Sequence, residues 1–381
     1  MVQTGFRSLL AKVHAIPFQT SLCSTSGVIE IDLAAIADNF RRMSGWAHGA
    51  EVAAAVKADA YGLGGGRVAP VLREAGCRSF FVATPGEGIA LRSVLDDAAI
   101  YVLNGLMAGD EAAFEEYELV PVLNDPGQVD RWAAYCARRG AALSAALHVD
   151  TGMNRLGMTG EEAAAMDSRG PGFPVALLMS HLACARHPDD AKNADQLARF
   201  RQLDPLFPAV ARSLANSGGV MLGADYAFDM ARVGIALYGG APLDGGPNPM
   251  DPVVRVRARV LQIRQVPRGE TVGYDATFTA PRDMRVAVVA AGYGDGWPTV
   301  FTGKGAALAG GARVPFVGRV SMDLNALDVT GLPEGQPAVG DLVDLIGPGL
   351  GVDEAAGRAG LIAYELLTAL SRRFERRYLP A

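Results

Sequence analysis

The sequence predicts an α/β protein, a (β/α)8 TIM-type barrel followed by a mainly β C-terminal domain. Three observations carry that expectation. Between residues 52 and 234 eight short, continuously apolar runs alternate with helical patterns; polar residues fit for chemistry collect where those runs end; past residue 251 the pattern changes to period-two alternation. Continuously apolar strands separated by helices imply parallel strands covered on both faces, and eight such units fit a closed barrel. An open doubly wound sheet is the alternative.

Composition narrows the class. At 381 residues the chain is long enough for two domains, and 50% hydrophobic residues supply a substantial core. Charged residues make up 20%, with both signs mixed and a net charge of −6, which argues against nucleic-acid or anionic-membrane partners. No apolar run approaches the roughly 18 residues of a membrane span. The cysteines, Cys23, Cys77, Cys136 and Cys184, are scattered without CxxC spacing, so neither a metal site nor a disulfide framework is expected. Residues 1–26 contain Arg7, Lys12 and Pro17 but no acid and no secretory apolar core, and read as a disordered extension; a soluble, cytoplasmic protein is expected.

In chain order, VIEIDL (28–33) is a strand that precedes the barrel count and is available to pack with the C-terminal domain. AAIADNFRRMSGWA has helical spacing. EVAAAVKA (51–58) begins the barrel, followed by strands at 79–84, 99–104, 119–124, 143–150, 175–182, 213–217 and 228–234, with helices such as GRVAPVLREAG, DPGQVDRWAAYCARRG and NADQLARFRQL between them. The barrel domain is placed at 27–250. A linker rich in Gly and Pro, GGAPLDGGPNPMDP, leads to a second domain at 251–381. There VVRVRARVLQIRQV alternates as a half-buried antiparallel strand, further β runs follow at 284–292, 312–320, 324–329 and 341–347, and 354–374 reads as one or two helices.

Barrel enzymes place their chemistry at the C-terminal ends of the strands. Lys57 ends the first, Arg155 follows the fifth, His181 ends the sixth, Asn216 and Ser217 the seventh, and Arg232 the eighth, with Gly234 and Ile235 behind it. A lysine desolvated at a strand end has a lowered pKa and can act as a nucleophile or Schiff-base partner. Tyr61 and Gly62, Gly64, Gly65 and Gly66 follow it, and glycines let backbone N–H groups approach a phosphate. An amine beside a phosphate cradle suggests pyridoxal phosphate. Each residue also has a plainer reading: Lys57 as a solvated strand cap, Arg155 as a surface charge, His181 as a core histidine, Ser217 as a helix cap, Tyr274 and Tyr293 as hairpin aromatics.

Eight stretches, taken in order, resolve that choice: AAVKADAYGLG, DTGMNRLG, SHLA, ANS, RVGIALYG, VGYDATF, AGYGDG and GRVSMD. From about residue 27 onward the chain resembles the alanine racemase family, with Asp59 where that family more usually has Asn. The resemblance implies a pyridoxal-phosphate enzyme that interconverts L- and D-alanine for peptidoglycan, as a head-to-tail homodimer. Lys57 would hold the cofactor and act as base on one face of Cα; Tyr274, from the partner subunit, would be the acid/base on the other. Arg232 would face the pyridine nitrogen, and Tyr61, Asn216, Ser217, Gly234, Ile235 and Tyr364 would surround the phosphate. Arg155 and the Met322 backbone would receive the substrate carboxylate, Tyr293 would narrow the entrance, and His181 would link Tyr274 to Arg232.

Racemisation removes a proton from one face of Cα and returns one to the other, so two opposed bases suit it. Such acid/base catalysis contributes roughly 10²–10⁴-fold, and the cofactor's electron sink much of the rest. An arginine at the pyridine nitrogen leaves that nitrogen unprotonated, which weakens the sink and discourages transamination. His148 stands where many members carry a carbamylated lysine, and Ser213 where a histidine is common. No carbamyl-lysine is therefore expected at 148, and another acceptor or a chloride ion would hold Arg155. A broad-specificity or serine racemase, a non-catalytic cofactor-carrying homeostasis protein and a barrel-plus-β decarboxylase are the competing functions. Tyr274 and the second domain weigh against the homeostasis protein, and Arg232 against the decarboxylase.

Overall fold

The computed structural model describes residues 25–381, so the expected N-terminal extension lies almost wholly outside the described residues. Strand β1 (Gly27–Asp32) leads into a helix at Leu33–Trp46, whose first turn is capped by Asp32 accepting from the Ala35 N–H at 2.9 Å. Eight strands follow: β2 (Glu51–Ala55), β3 (Ser79–Val82), β4 (Ala99–Val102), β5 (Leu119–Leu123), β6 (Ala145–His148), β7 (Val175–Met179), β8 (Arg212–Ser213) and β9 (Met230–Val233). They form one parallel sheet in the order β8-β7-β6-β5-β4-β3-β2-β9. Across the seam, Asp229 N–H donates to Arg212 O at 3.1 Å and Arg232 N–H to Ala215 O at 2.8 Å, so the sheet is nearly closed.

Local sequence explains the helices between these strands. Thr84 and Thr159 each form a capping box with the glutamate three residues on, and Asp125 caps a helix that opens on Pro126. The expected strand at 213–217 stops at Ser213. Asn216 turns the chain by accepting from the Gly219 N–H at 2.9 Å, capping a five-residue helix, Ser217–Met221.

The second domain is built on β10 (Val254–Val266). Val254, Val256, Ala258 and Val260 are buried, while Arg255 and Arg257 on the other face pair with Asp344 and Glu30. A short hairpin, β11 (Thr271–Val272) and β12 (Phe278–Thr279), is followed by β13 (Met284–Val289), β14 (Ala306–Ala309), β15 (Ala312–Val317), β16 (Asn325–Asp328), β17 (Leu342–Ile346) and β18 (Glu375–Leu379). The sheet runs β13-β16-β15-β14-β17-β10-β1-β18, and β13 also pairs with the far half of β10, closing a ring. Strand β1 lies antiparallel to β10 and parallel to β18, so it belongs to this sheet and not to the barrel. Sequence reasoning missed β14, whose AALA has little β propensity, and β18, whose charged ERRYL lies at the sheet edge.

Candidate active site

Strand β2 ends at Ala55, and Lys57 opens a turn of opposite hand. Ala58, Asp59, Ala60 and Tyr61 have φ of 52°, 56°, 54° and 55°, consecutive left-handed residues without a glycine among them. Each such residue costs roughly 1–2 kcal/mol. The turn is held by Gly62 N–H donating to Ala58 O at 2.8 Å, Gly65 N–H to Asp59 Oδ1 at 2.7 Å, and Arg376 of β18 to Gly62 O at 2.9 Å. Two of the glycines behind it, Gly62 and Gly64, serve packing. A Cβ on Gly62 would lie 2.7 Å from Leu367 O, and one on Gly64 2.1 Å from Tyr378 Oη.

Lys57 reaches a cavity of about 620 Å³ over the C-terminal ends of the barrel strands. Tyr61, Arg155, His181, Asn216, Ser217, Arg232, Gly234, Ile235 and Tyr364 line it too, and so do His148 and Glu87. Burial lowers the Lys57 pKa, and Arg155 and Arg232 lower it further; Glu87 opposes them.

Arg232 is 5% exposed. It donates to Ser213 Oγ and Ser180 O, lies 3.2 Å from His181 Nδ1, and stands over the Phe81 ring at 6.0 Å. Among the described residues no carboxylate pairs with it. Burial pushes it down to about 9, which leaves it cationic at neutrality. Burial, with Arg232, Lys57 and Arg155 nearby, holds His181 well below its ordinary pKa. Its Nδ1 therefore accepts from Arg232, which puts the imidazole proton on Nε2.

On the other side, Ser217 Oγ accepts from Gly234 N–H at 3.0 Å and from Ala236 N–H at 3.5 Å. The N–H groups of Ser217, Gly218 and Ile235 have no protein acceptor among the described residues. The Tyr61 and Tyr364 rings lie 5.7 Å apart, and burial keeps both hydroxyls protonated, Tyr364 pushed up to about 12 and Tyr61 higher still. A Cβ on Gly234 would meet Tyr61 Oη at 2.3 Å. Free amides and protonated phenols form a donor set that suits a phosphate.

His148 is buried, and burial, reinforced by Arg232, pushes its pKa down to about 4. Asn124 donates to Leu103 O and Val122 O, so its Oδ1 is left to accept from His148 Nδ1 at 2.7 Å. The ring is neutral and supplies no anion to Arg155, which is exposed. Ser213 fills the other departure by accepting from Arg232 and donating to Met230 O at 2.6 Å.

Three expected residues do not line this cavity. Tyr274, Tyr293 and Met322 are 68%, 46% and 53% exposed on the second domain. They lie near one another: Tyr293 N–H donates to Ser321 O at 3.0 Å, Gly294 N–H donates to Met322 O at 2.8 Å, and Arg319 pairs with Asp275. Sequence reasoning also missed Glu87. Its signal was the TPGE capping box, which marks a helix start and says nothing of Lys57.

The chain is similar to known proteins over both domains. Residues 31–242 match the N-terminal domain of alanine racemase and residues 253–378 its C-terminal domain. The chain is 49% identical to an alanine racemase of Methylobacterium sp. (strain 4-46), over 92% of this chain and 97% of that one. It is 47% identical to a catabolic alanine racemase of Agrobacterium fabrum, over 95% and 94%. An alanine racemase from Bartonella henselae, crystallised with covalently bound pyridoxal phosphate, superposes with a TM-score of 0.90 at 36% identity, covering 93% of this chain and all of that one. Both domains, their order and the residues gathered at the barrel mouth lead to one conclusion: the chain belongs to the alanine racemase family.

Proposed function

We propose that this enzyme interconverts L- and D-alanine with two bases, Lys57 on one face of Cα and the partner subunit's Tyr274 on the other, in a homodimer whose subunits share their sites. The observation that carries the proposal is the content of one cavity. It holds an amine of lowered pKa, a buried guanidinium without a carboxylate, and amide and phenol donors without protein acceptors. Pyridoxal phosphate, when bound, supplies the electron sink for the bond broken at Cα. Lys57 would hold it covalently; Tyr61, Tyr364, Asn216, Ser217, Gly234 and Ile235 would receive its phosphate; Arg232, a cation, would serve its ring nitrogen as a donor without protonating it.

Arg155 and the Met322 backbone take the substrate carboxylate, and Tyr293 narrows the entrance. Neutral His181, accepting from Arg232 at Nδ1, offers its Nε2–H to the Tyr274 oxygen and so orients that hydroxyl. In the reaction Lys57, its amine freed when the substrate's amine takes its place, removes a proton from one face while Tyr274 returns one to the other, and the reverse direction exchanges their roles. The exposure of Tyr274, Tyr293 and Met322 supports their service in a neighbouring subunit. We read the enzyme as cytoplasmic, with D-alanine for peptidoglycan as its product. Among the described residues no helix is long and apolar enough to cross a membrane.

Incubation of the purified enzyme with L-alanine in heavy water tests the reading. Optical inversion should be accompanied by deuterium at Cα; if neither occurs while pyridoxal phosphate is bound, racemisation is excluded.

A further inference from the structure

Glu87 does more than cap its helix. Within the capping box, Thr84 Oγ accepts from Glu87 N–H at 3.3 Å and Glu87 Oε2 accepts from Thr84 N–H at 3.2 Å. The same Oε2 also accepts from Ala83 N–H at 2.7 Å, just past the end of β3. Oε1 accepts from Ala58 N–H, again at 2.7 Å. One carboxylate therefore joins two neighbouring strand ends, and one of its partners is the first amide of the left-handed turn. A helix cap alone requires neither bond.

We propose that Glu87 is a positioning residue for Lys57: its carboxylate anchors the left-handed turn through the Ala58 amide and keeps an anion beside the lysine amine. The inference rests on the reading of Lys57 as the cofactor-holding amine. Four consecutive left-handed residues persist only when their surroundings hold them. Gly62 is gripped from the second domain by Arg376, and Ala58 from the barrel by Glu87. Released at Ala58, the turn can relax at the residue that sets where the Lys57 side chain leaves the backbone.

Charge strengthens the argument. The amine is faced by Arg155 after β6, Arg232 on β9 and His181 after β7, with His148 on β6 and the phenols Tyr61 and Tyr364 around the same cavity. Glu87 and Glu365 are the carboxylates that line it, and of the two Glu87 is the one that raises the Lys57 pKa. Burial and both arginines act against it. Neutralising Glu87 must therefore lower the Lys57 pKa beyond its already depressed position.

The test labels the full chain, stripped of cofactor with hydroxylamine, with trace acetic anhydride across a pH series, and follows the Lys57 peptide by mass spectrometry. Glu87→Gln should move the labelling midpoint of Lys57 to lower pH, and the reloaded variant should lose about tenfold in kcat with KM for L-alanine little changed. Thr84→Ala, which removes the cap but leaves the carboxylate on Ala58, should keep the parent's midpoint. A structural role alone would lower thermal stability in both variants and move neither midpoint. An unmoved midpoint in folded Glu87→Gln overturns the proposal. If that variant does not fold, Glu87→Asp decides, since it draws the charge back by one methylene: a smaller shift in the same direction supports the proposal and none overturns it. Failure of the underlying reading is separate, because borohydride reduction of the parent would then leave the cofactor on a peptide other than that of Lys57.

Discussion

His148 is neutral in the folded protein because burial and the nearby Arg232 push it from 6.5 to about 4. The unfolded chain binds a proton there near pH 6.5 and the folded one does not until about pH 4. Its contribution to stability is thus complete above pH 6.5 and is lost as pH falls toward 4, a change of about 3 kcal/mol. His181 acts in the same direction. Urea unfolding between pH 7.5 and 4.5 should show stability falling with acid, and His148→Gln should flatten that fall by close to one proton. An unchanged slope would mean that His148 is already protonated when folded. At this scale much of the site was legible: Lys57, Arg155, His181 and Arg232 stand where barrel strands end, and His148 was visible as a departure. Glu87 was not, because its bond to Ala58 depends on how two strand ends meet across 29 residues.

Among elements, the stretch after Lys57 departs furthest from its sequence reading. Glycine usually marks left-handed backbone, yet here the left-handed run starts on Ala58 to Tyr61, ahead of Gly62 and Gly64, and tertiary bonds hold it there. Gly62 has φ +83° and no room for a Cβ beneath Leu367 O, whereas Gly66 lies in the helix Gly65–Glu74 with nothing within 4 Å. Gly62→Ala should therefore lose roughly 1–3 kcal/mol and some cofactor affinity, while Gly66→Ala should be neutral or gain up to about 1 kcal/mol. Thermal melts with a cofactor titration compare the two, and equal effects would contradict the packing role of Gly62. The barrel strands were legible because both their faces are buried and the runs are continuously apolar. Alanine-rich β14 was not, since AALA has little β propensity although it pairs with β15 directly across the Gly310–Gly311 turn; charged β18 was not, since its partner β1 lies at the other end of the chain.

For the molecule as a whole, the cavity lies over the barrel strands, with Tyr364 and Glu365 added from the second domain, whereas Tyr274 and Tyr293 stand exposed on that second domain outside it. Tyr274 sits on the turn between β11 and β12, whose Val272 and Phe278 pack against a small cluster of Ala280, Met284, Val286 and Val317. Tyr293 and Met322 sit on adjoining loops that Arg373 ties together through Asp295 and Asp323. An apolar, partly aromatic patch on so ordered a support has the character of an interface. No sequence pattern could have measured that exposure, although the resemblance implied a partner. The central claim is that each site draws Lys57 from one chain and Tyr274 from another. Mixing Lys57→Ala with Tyr274→Phe, each inactive alone, tests it most directly: after subunit exchange, half the dimers should carry one intact site, and about a quarter of the parent's activity should return. A mixture that exchanges subunits yet stays inactive would contradict the shared site.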